Sequence, residues 1–98
     1  MAQFDVHRSP HDGALLLDCQ ADLLGHFGTR FVIPLLPSEG KPKMDRLHPV
    51  FAISGEQHLL ATPLASAVGV DDLGPKIASL ADQRDEILNA LDMLLAGY

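Results

Sequence analysis

His7, His11 and Asp12 lie close together near the start of the chain, and their types invite a metal or acid–base reading. A strand followed by a turn gives His7 and His11 no reason to converge, however. None of the five histidines belongs to an H-E-x-x-H or comparable helical pair that would fix two imidazoles on one face, so no metal is expected. Asp71-Asp72 offers two carboxylates, but neighbours on a strand face opposite sides, and the pair reads as a solvated turn. Cys19 is the only cysteine, which leaves no internal disulfide and no four-cysteine zinc site; it reads as a small core residue. No serine sits in a G-x-S-x-G elbow, and Gly25, Gly28, Gly40 and Gly55 form no phosphate loop. The expectation is a protein that is not an enzyme, needs no cofactor and works by binding.

The elements around these residues belong to one domain, 1–98, because 98 residues are too few for two independent cores. Apolar runs fall far short of the ~20 residues that cross a bilayer, and Gln3, Asp5 and His7 break up any leader-like apolar segment. A cytoplasmic protein without a membrane partner is expected. The net charge of −6 is that of an acidic surface, and its bases, Arg8, Arg30, Lys41, Lys43, Arg46, Lys76 and Arg84, are scattered rather than striped. Direct binding to nucleic acid draws on clustered Lys and Arg, so a protein partner suits this surface better.

The first half reads as short strands. Phe4 and Val6 alternate with polar residues, and Ser9-Pro10-His11-Asp12-Gly13 supplies turn chemistry before a second strand from Ala14 to Gln20. A third strand spans Thr29–Leu35, where Pro34 is expected at an edge, a bulge or the strand's end. Pro37–Asp45 reads as an exposed, mobile loop. Val50–Ile53 and His58–Thr62 form a hairpin around Ser54-Gly55-Glu56-Gln57, closed by Pro63, and Leu64–Val70 adds a short strand. Pro75 fits the first turn of a helix, and the main helix is expected to begin between Ser79 and Asp82.

On that helix Leu80, Arg84, Ile87, Leu91 and Leu94, widened by Leu88 and Leu95, make the core-facing stripe; Asp82, Asp85, Glu86, Asn89 and Asp92 face away. Met93 and Ala96 fall on or beside the polar face, so the last turn has no hydrophilic side. An apolar helix end followed by Gly97 and Tyr98 needs a burial site: its own core, a second copy or another protein.

The spaced motifs Gln3-Phe4-x-Val6, Asp18-x-Gln20-x-Asp22-Leu23-Leu24 and Gly28-Thr29-Arg30-x-Val32-Ile33-Pro34-Leu35 resemble the CcdB family of plasmid and chromosomal toxins. Arg46-Leu47-x-Pro49-Val50, Ile53-x-Gly55-Glu56, Ala65-Ser66, Leu73-Gly74 and Ile87-x-x-Ala90-Leu91-x-Met93-x-x-x-Gly97 follow in the same order, covering nearly the whole chain. The resemblance implies a mainly β fold with one C-terminal helix, an SH3-like barrel or antiparallel sheet, assembled as a symmetric homodimer. It also implies a type II toxin, serving plasmid maintenance in relatives carried on plasmids, that binds the gyrase A subunit and traps gyrase on cleaved DNA. A cognate antitoxin of the CcdA type neutralises the toxin, and the two together repress their own operon, so operator DNA is met only through the antitoxin. The gyrase-binding residues implied are Met93, Ala96, Gly97 and Tyr98; the antitoxin-binding residues are Arg8, Ser9, Pro10, His11, Asp12 and Gly13.

The plasmid archetype of that family ends in Trp-Gly-Ile where this chain has Ala96-Gly97-Tyr98. The glycine is kept and the tryptophan is not, so Tyr98 would have to supply the aromatic anchor. The alternative is a degenerate chromosomal relative that binds antitoxin and no longer poisons gyrase. A metal-dependent enzyme of unrelated kind is the remaining alternative, one that elemental analysis would expose.

Overall fold

The structure, a computed structural model, describes residues 2–39 and 45–97. Seven strands form one curled sheet: β1 (Asp5–Arg8), β2 (Leu15–Asp18), β3 (Thr29–Pro37), β4 (Val50–Ile53), β5 (Glu56–Leu60), β6 (Ser66–Gly69) and β7 (Lys76–Ser79). Among the described residues a single α-helix, α1 (Arg84–Ala96), follows. The strand order is β4-β5-β3-β2-β1-β7 with β6 on the remaining flank of β3, and every pairing is antiparallel. The expected mainly β fold with one C-terminal helix is present, and the sheet curls into a half-barrel around one core. Val6, Leu17, Ile33 and Leu60 fill that core, and Ile87 and Ala90 of the helix lie on it.

Local chemistry explains most of the elements. The first hairpin turns at Ser9–Ala14, where Gly13 takes φ +75° and the Ala14 N–H donates to Asp12 Oδ1 at 3.0 Å, a side-chain turn that Asp favours. β1 does not show the expected alternation. Asp5, Val6 and His7 are all buried, because β7 and the chain leading into it cover the outer face: Lys76 Nζ reaches Asp5 Oδ1 at 3.3 Å and His7 Nδ1–H donates to the Gly74 carbonyl at 3.0 Å.

Pro34 lies inside β3, not at its edge or end. One flank of β3 is shared, with β6 paired to residues 29–32 and β5 to residues 35–37. Pro34 falls at this change of partner, where its carbonyl accepts the Ala61 N–H at 2.9 Å and its missing N–H breaks no regular ladder. The second hairpin is tighter than the sequence suggests. Ser54 and Gly55 alone connect β4 to β5, with φ of +53° and +83°, the two positive values that a type I′ turn demands.

Pro75 introduces β7, not a helix. Its strand exists through pairing with β1, Val6 opposite Ala78 and Asp5 opposite Ser79, after a bulge between Val6 and His7. The helical segment opens with a 3-10 turn at Ala81–Gln83, and α1 proper begins at Arg84, with Ser79 Oγ accepting the Ala81 N–H at 3.3 Å instead of capping the helix. Of the loop expected over Pro37–Asp45, Pro37 belongs to β3 and residues 40–44 lie outside the described ones.

Candidate functional site

The end of α1 is the first of two surfaces that carry sequence-predicted residues. The stripe facing the core is Ile87, Ala90 and the half-buried Leu91, spaced i, i+3, i+4, with alanine allowing close approach to the sheet. Arg84 lies outside it, its guanidinium 5.6 Å above the Phe4 ring and its Nη1 donating to Gln3 Oε1 at 3.1 Å. The two leucines expected in the core are not there: Leu94 is 37% exposed and Leu95 78% exposed. Leu94 continues the Ile87–Ala90 stripe at its partly exposed end, and Leu95 stands beside it in the open. Met93, expected beside the polar face, is half-buried, whereas Ala96 and Gly97 are exposed. Gly97 closes the helix in the left-handed conformation, φ +83°, and its N–H donates to the Met93 carbonyl at 3.1 Å. Tyr98 lies outside the described residues.

The second surface is the first hairpin loop, Arg8–Gly13. Arg8 Nη1 donates to the Gly13 carbonyl at 3.1 Å, and the His11 N–H donates to Oγ of the buried Ser9 at 3.2 Å. Hydrogen bonds from the Ala14 N–H, then from Ser9, hold the Asp12 carboxyl below its ordinary pKa. His11 Nε2 meets Asp72 Oδ1 at 2.8 Å across the exposed surface, so Asp72, in the solvated turn expected for it, also braces the hairpin. The brace continues inward through backbone bonds from Gly74 N–H to Arg8 O and from Arg8 N–H to Pro75 O. Gly74 is required there, since a Cβ would run into the Arg8 carbonyl oxygen. Arg8 and Gly13 also line a groove of about 390 Å³ together with Leu15, Leu35 and Ile53. His7 and His11 serve different carbonyl and carboxylate partners and share no ligand.

The hairpin loop packs on Asp72–Pro75, whereas α1 packs beside the turns Thr62–Leu64 and Ala81–Gln83, so different parts of the sheet hold the two surfaces. A third exposed apolar region was not singled out from the sequence. It is the loop from 21 to 29, where Leu23 is 87% exposed and Phe27 carries His26 edge-on at 4.4 Å. Adjacent leucines after Asp22 were its signal. Below that loop is a buried ion pair, Arg30 Nη2 to Asp18 Oδ2 at 2.6 Å, that scattered single charges could not foretell. Cys19 is buried as expected, and burial, with the charge of Asp18, pushes its thiol up to about 12.

The sequence profile described as CcdB protein matches residues 3–97. The chain belongs to the CcdB family. Among solved structures, the fold is similar to a mycobacterial endoribonuclease in complex with its cognate antitoxin (TM-score 0.81, 14% identity, 97% of this chain and 94% of that one). It is also similar to the Mycobacterium tuberculosis toxin MazF-mt6 (TM-score 0.74, 16% identity, 90% and 92%) and to another mycobacterial endoribonuclease (TM-score 0.76, 15% identity, 97% and 90%). At such identities the likeness is one of fold. It still corrects the expectation that this chain is not an enzyme: the same half-barrel and helix serve endoribonucleases, so the lack of a familiar motif does not remove chemistry from this CcdB-family member. No helix among the described residues is long and apolar enough to cross a membrane.

Proposed function

We propose that this CcdB-family protein is the toxin of a type II toxin–antitoxin system that binds the gyrase A subunit, traps gyrase on cleaved DNA and is neutralised by a cognate antitoxin. The observation that carries the proposal is the apolar last turn of α1, where Leu95 is 78% exposed next to Leu94, Ala96 and Gly97. Full burial of an exposed leucine such as Leu95 against a partner gains on the order of 1.5–3 kcal/mol. Met93, Ala96, Gly97 and Tyr98 form the gyrase-facing end in this reading, with the homodimer's two-fold axis close by. The antitoxin takes the braced loop of Arg8, Ser9, Pro10, His11, Asp12 and Gly13 and its adjoining groove, in keeping with the fold neighbour that was solved with its antitoxin.

Expression of the chain without antitoxin in a cytoplasmic host arrests growth, and co-expression of the neighbouring short reading frame restores it. Harmless expression, together with no gyrase binding by the purified protein, would overturn the proposal and favour the degenerate relative that keeps only antitoxin binding. The second reading, favoured by the endoribonuclease fold neighbours, is a toxin that cleaves RNA. Growth arrest with fragmented cellular RNA and unaffected gyrase would select it.

A further inference from the structure

The sheet is open, and among the described residues its two end strands, β4 and β7, each pair on one side only. A strand paired on one side turns alternate backbone N–H and C=O groups outward, a template for another extended chain. The groove of about 390 Å³ reaches both end strands, with Ile53 of β4 and Ile77 of β7 in its lining beside Leu15 and Leu35. A chain laid along either edge therefore has apolar surface next to it. Two observations favour β7. It follows Asp72–Pro75, on which the Arg8–Gly13 loop packs, so its edge continues the surface proposed for the antitoxin. It also carries the charge that is scarce in a chain of thirteen acids and seven bases. Lys76, with a side chain 55% exposed, is opposite His7 in register, and the exposed Arg8 is the next residue of β1. Lys76 Nζ meets Asp5 Oδ1 and Arg8 Nη1 donates to the Gly13 carbonyl, yet each side chain keeps further N–H donors. Glu56, the acid of the groove lining, is on β5, four positions from β7 in the strand order.

We propose that an extended, acidic segment of the antitoxin adds as a further strand to the free edge of β7 and sets an apolar side chain into the groove beside Ile77; this rests on the toxin–antitoxin reading above. Backbone hydrogen bonds to β7 supply affinity with little demand on sequence, and the alternate side chains that face the groove supply selectivity. Carboxylates on the segment meet Arg8 and Lys76. A second copy of this chain fits the edge less well, because it would bring the same two bases to the shared edge, like charge toward like.

The test mixes the purified full chain with the purified product of the neighbouring short reading frame, and reads amide hydrogen exchange and titration calorimetry. In the complex, exchange of the outward amides of β7 slows by about 10-fold or more, while that of β4, the other end strand, is unchanged. Arg8→Gln/Lys76→Gln weakens binding by about 10-fold at low salt and by less at high salt. Arg8→Gln alone serves where the double variant lowers the melting temperature. Binding that leaves β7 exchanging as in the free chain, or that protects β4 in its place, overturns the added strand while sparing the antitoxin reading. Protection of β7 in the free chain that increases with its own concentration puts a second copy on the edge and overturns the proposal in the same way. No binding to a folded wild-type chain overturns the antitoxin reading and the proposal together.

Discussion

Replacing Arg30 with methionine removes a guanidinium whose Nε and Nη2 lie 2.9 and 2.6 Å from Asp18 Oδ2. Both residues are inside the fold, Arg30 2% and Asp18 0% exposed, and they join β2 to β3 where Asp18 sits opposite Val32. Arg30→Met leaves the Asp18 carboxylate with the Gln20 N–H at Oδ1 as its remaining donor. Breaking such a pair on one side costs about 3–5 kcal/mol, against a total stability of about 5–15 kcal/mol for a domain of this size. At about 4–8 °C per kcal/mol, the melting temperature falls by about 12 °C or more. Removing the charge as well, in Asp18→Leu/Arg30→Met, recovers much of that loss, because well-packed apolar residues replace buried ion pairs at little cost. Thermal and urea melts of the single and double variants measure both effects. A single variant that melts within about 4 °C of wild type, or a double variant no better than the single, would refute the reasoning.

Gly74→Ala forces a Cβ against the Arg8 carbonyl oxygen; it should lower stability by about 1–3 kcal/mol and weaken the antitoxin binding proposed for the hairpin loop, checked by urea denaturation and by titration calorimetry. Ser54→Asn creates Asn-Gly in the type I′ turn and should raise stability by about 0.5–1 kcal/mol, read as a higher melting temperature. Cys19, with its thiol pushed up to about 12, should resist alkylation in the native protein at pH 8 and react fully in denaturant. Its folded pKa is above the unfolded value near 9.0, so burial of the neutral thiol stabilises the fold below pH 9 and that contribution is lost as pH rises toward 12; Cys19→Ala should flatten this alkaline limb of a stability–pH curve.

Where local chemistry dominates, the sequence was readable: Asp12-Gly13 marks the first turn, the β-branched run after Thr29 a strand, and Gly97 the helix end. β7 was hidden because only Ile77 in Lys76–Ser79 is strongly apolar, and its strand depends on pairing with β1 about seventy residues earlier. Pro34 was misplaced for the same reason, since the gap between β5 and β6 that tolerates it is a property of the assembled sheet. Helical spacing located the stripe of Ile87 and Leu91, but spacing cannot say where the sheet beneath a helix stops, and so Leu94 and Leu95 were placed inside. The loop of Arg8–Gly13 was legible as a turn; its bracing by Asp72 and Gly74 was not, because both are distant in sequence.

In the proposed function the end of α1 engages gyrase. Purified protein added to gyrase and supercoiled DNA, with cleaved DNA trapped by denaturant and resolved on a gel, tests it directly. The expected result is linear DNA that increases with protein and is lost with Leu95→Glu, a change at a position 78% exposed. Undiminished trapping by that variant, or no trapping by the wild type, would contradict it.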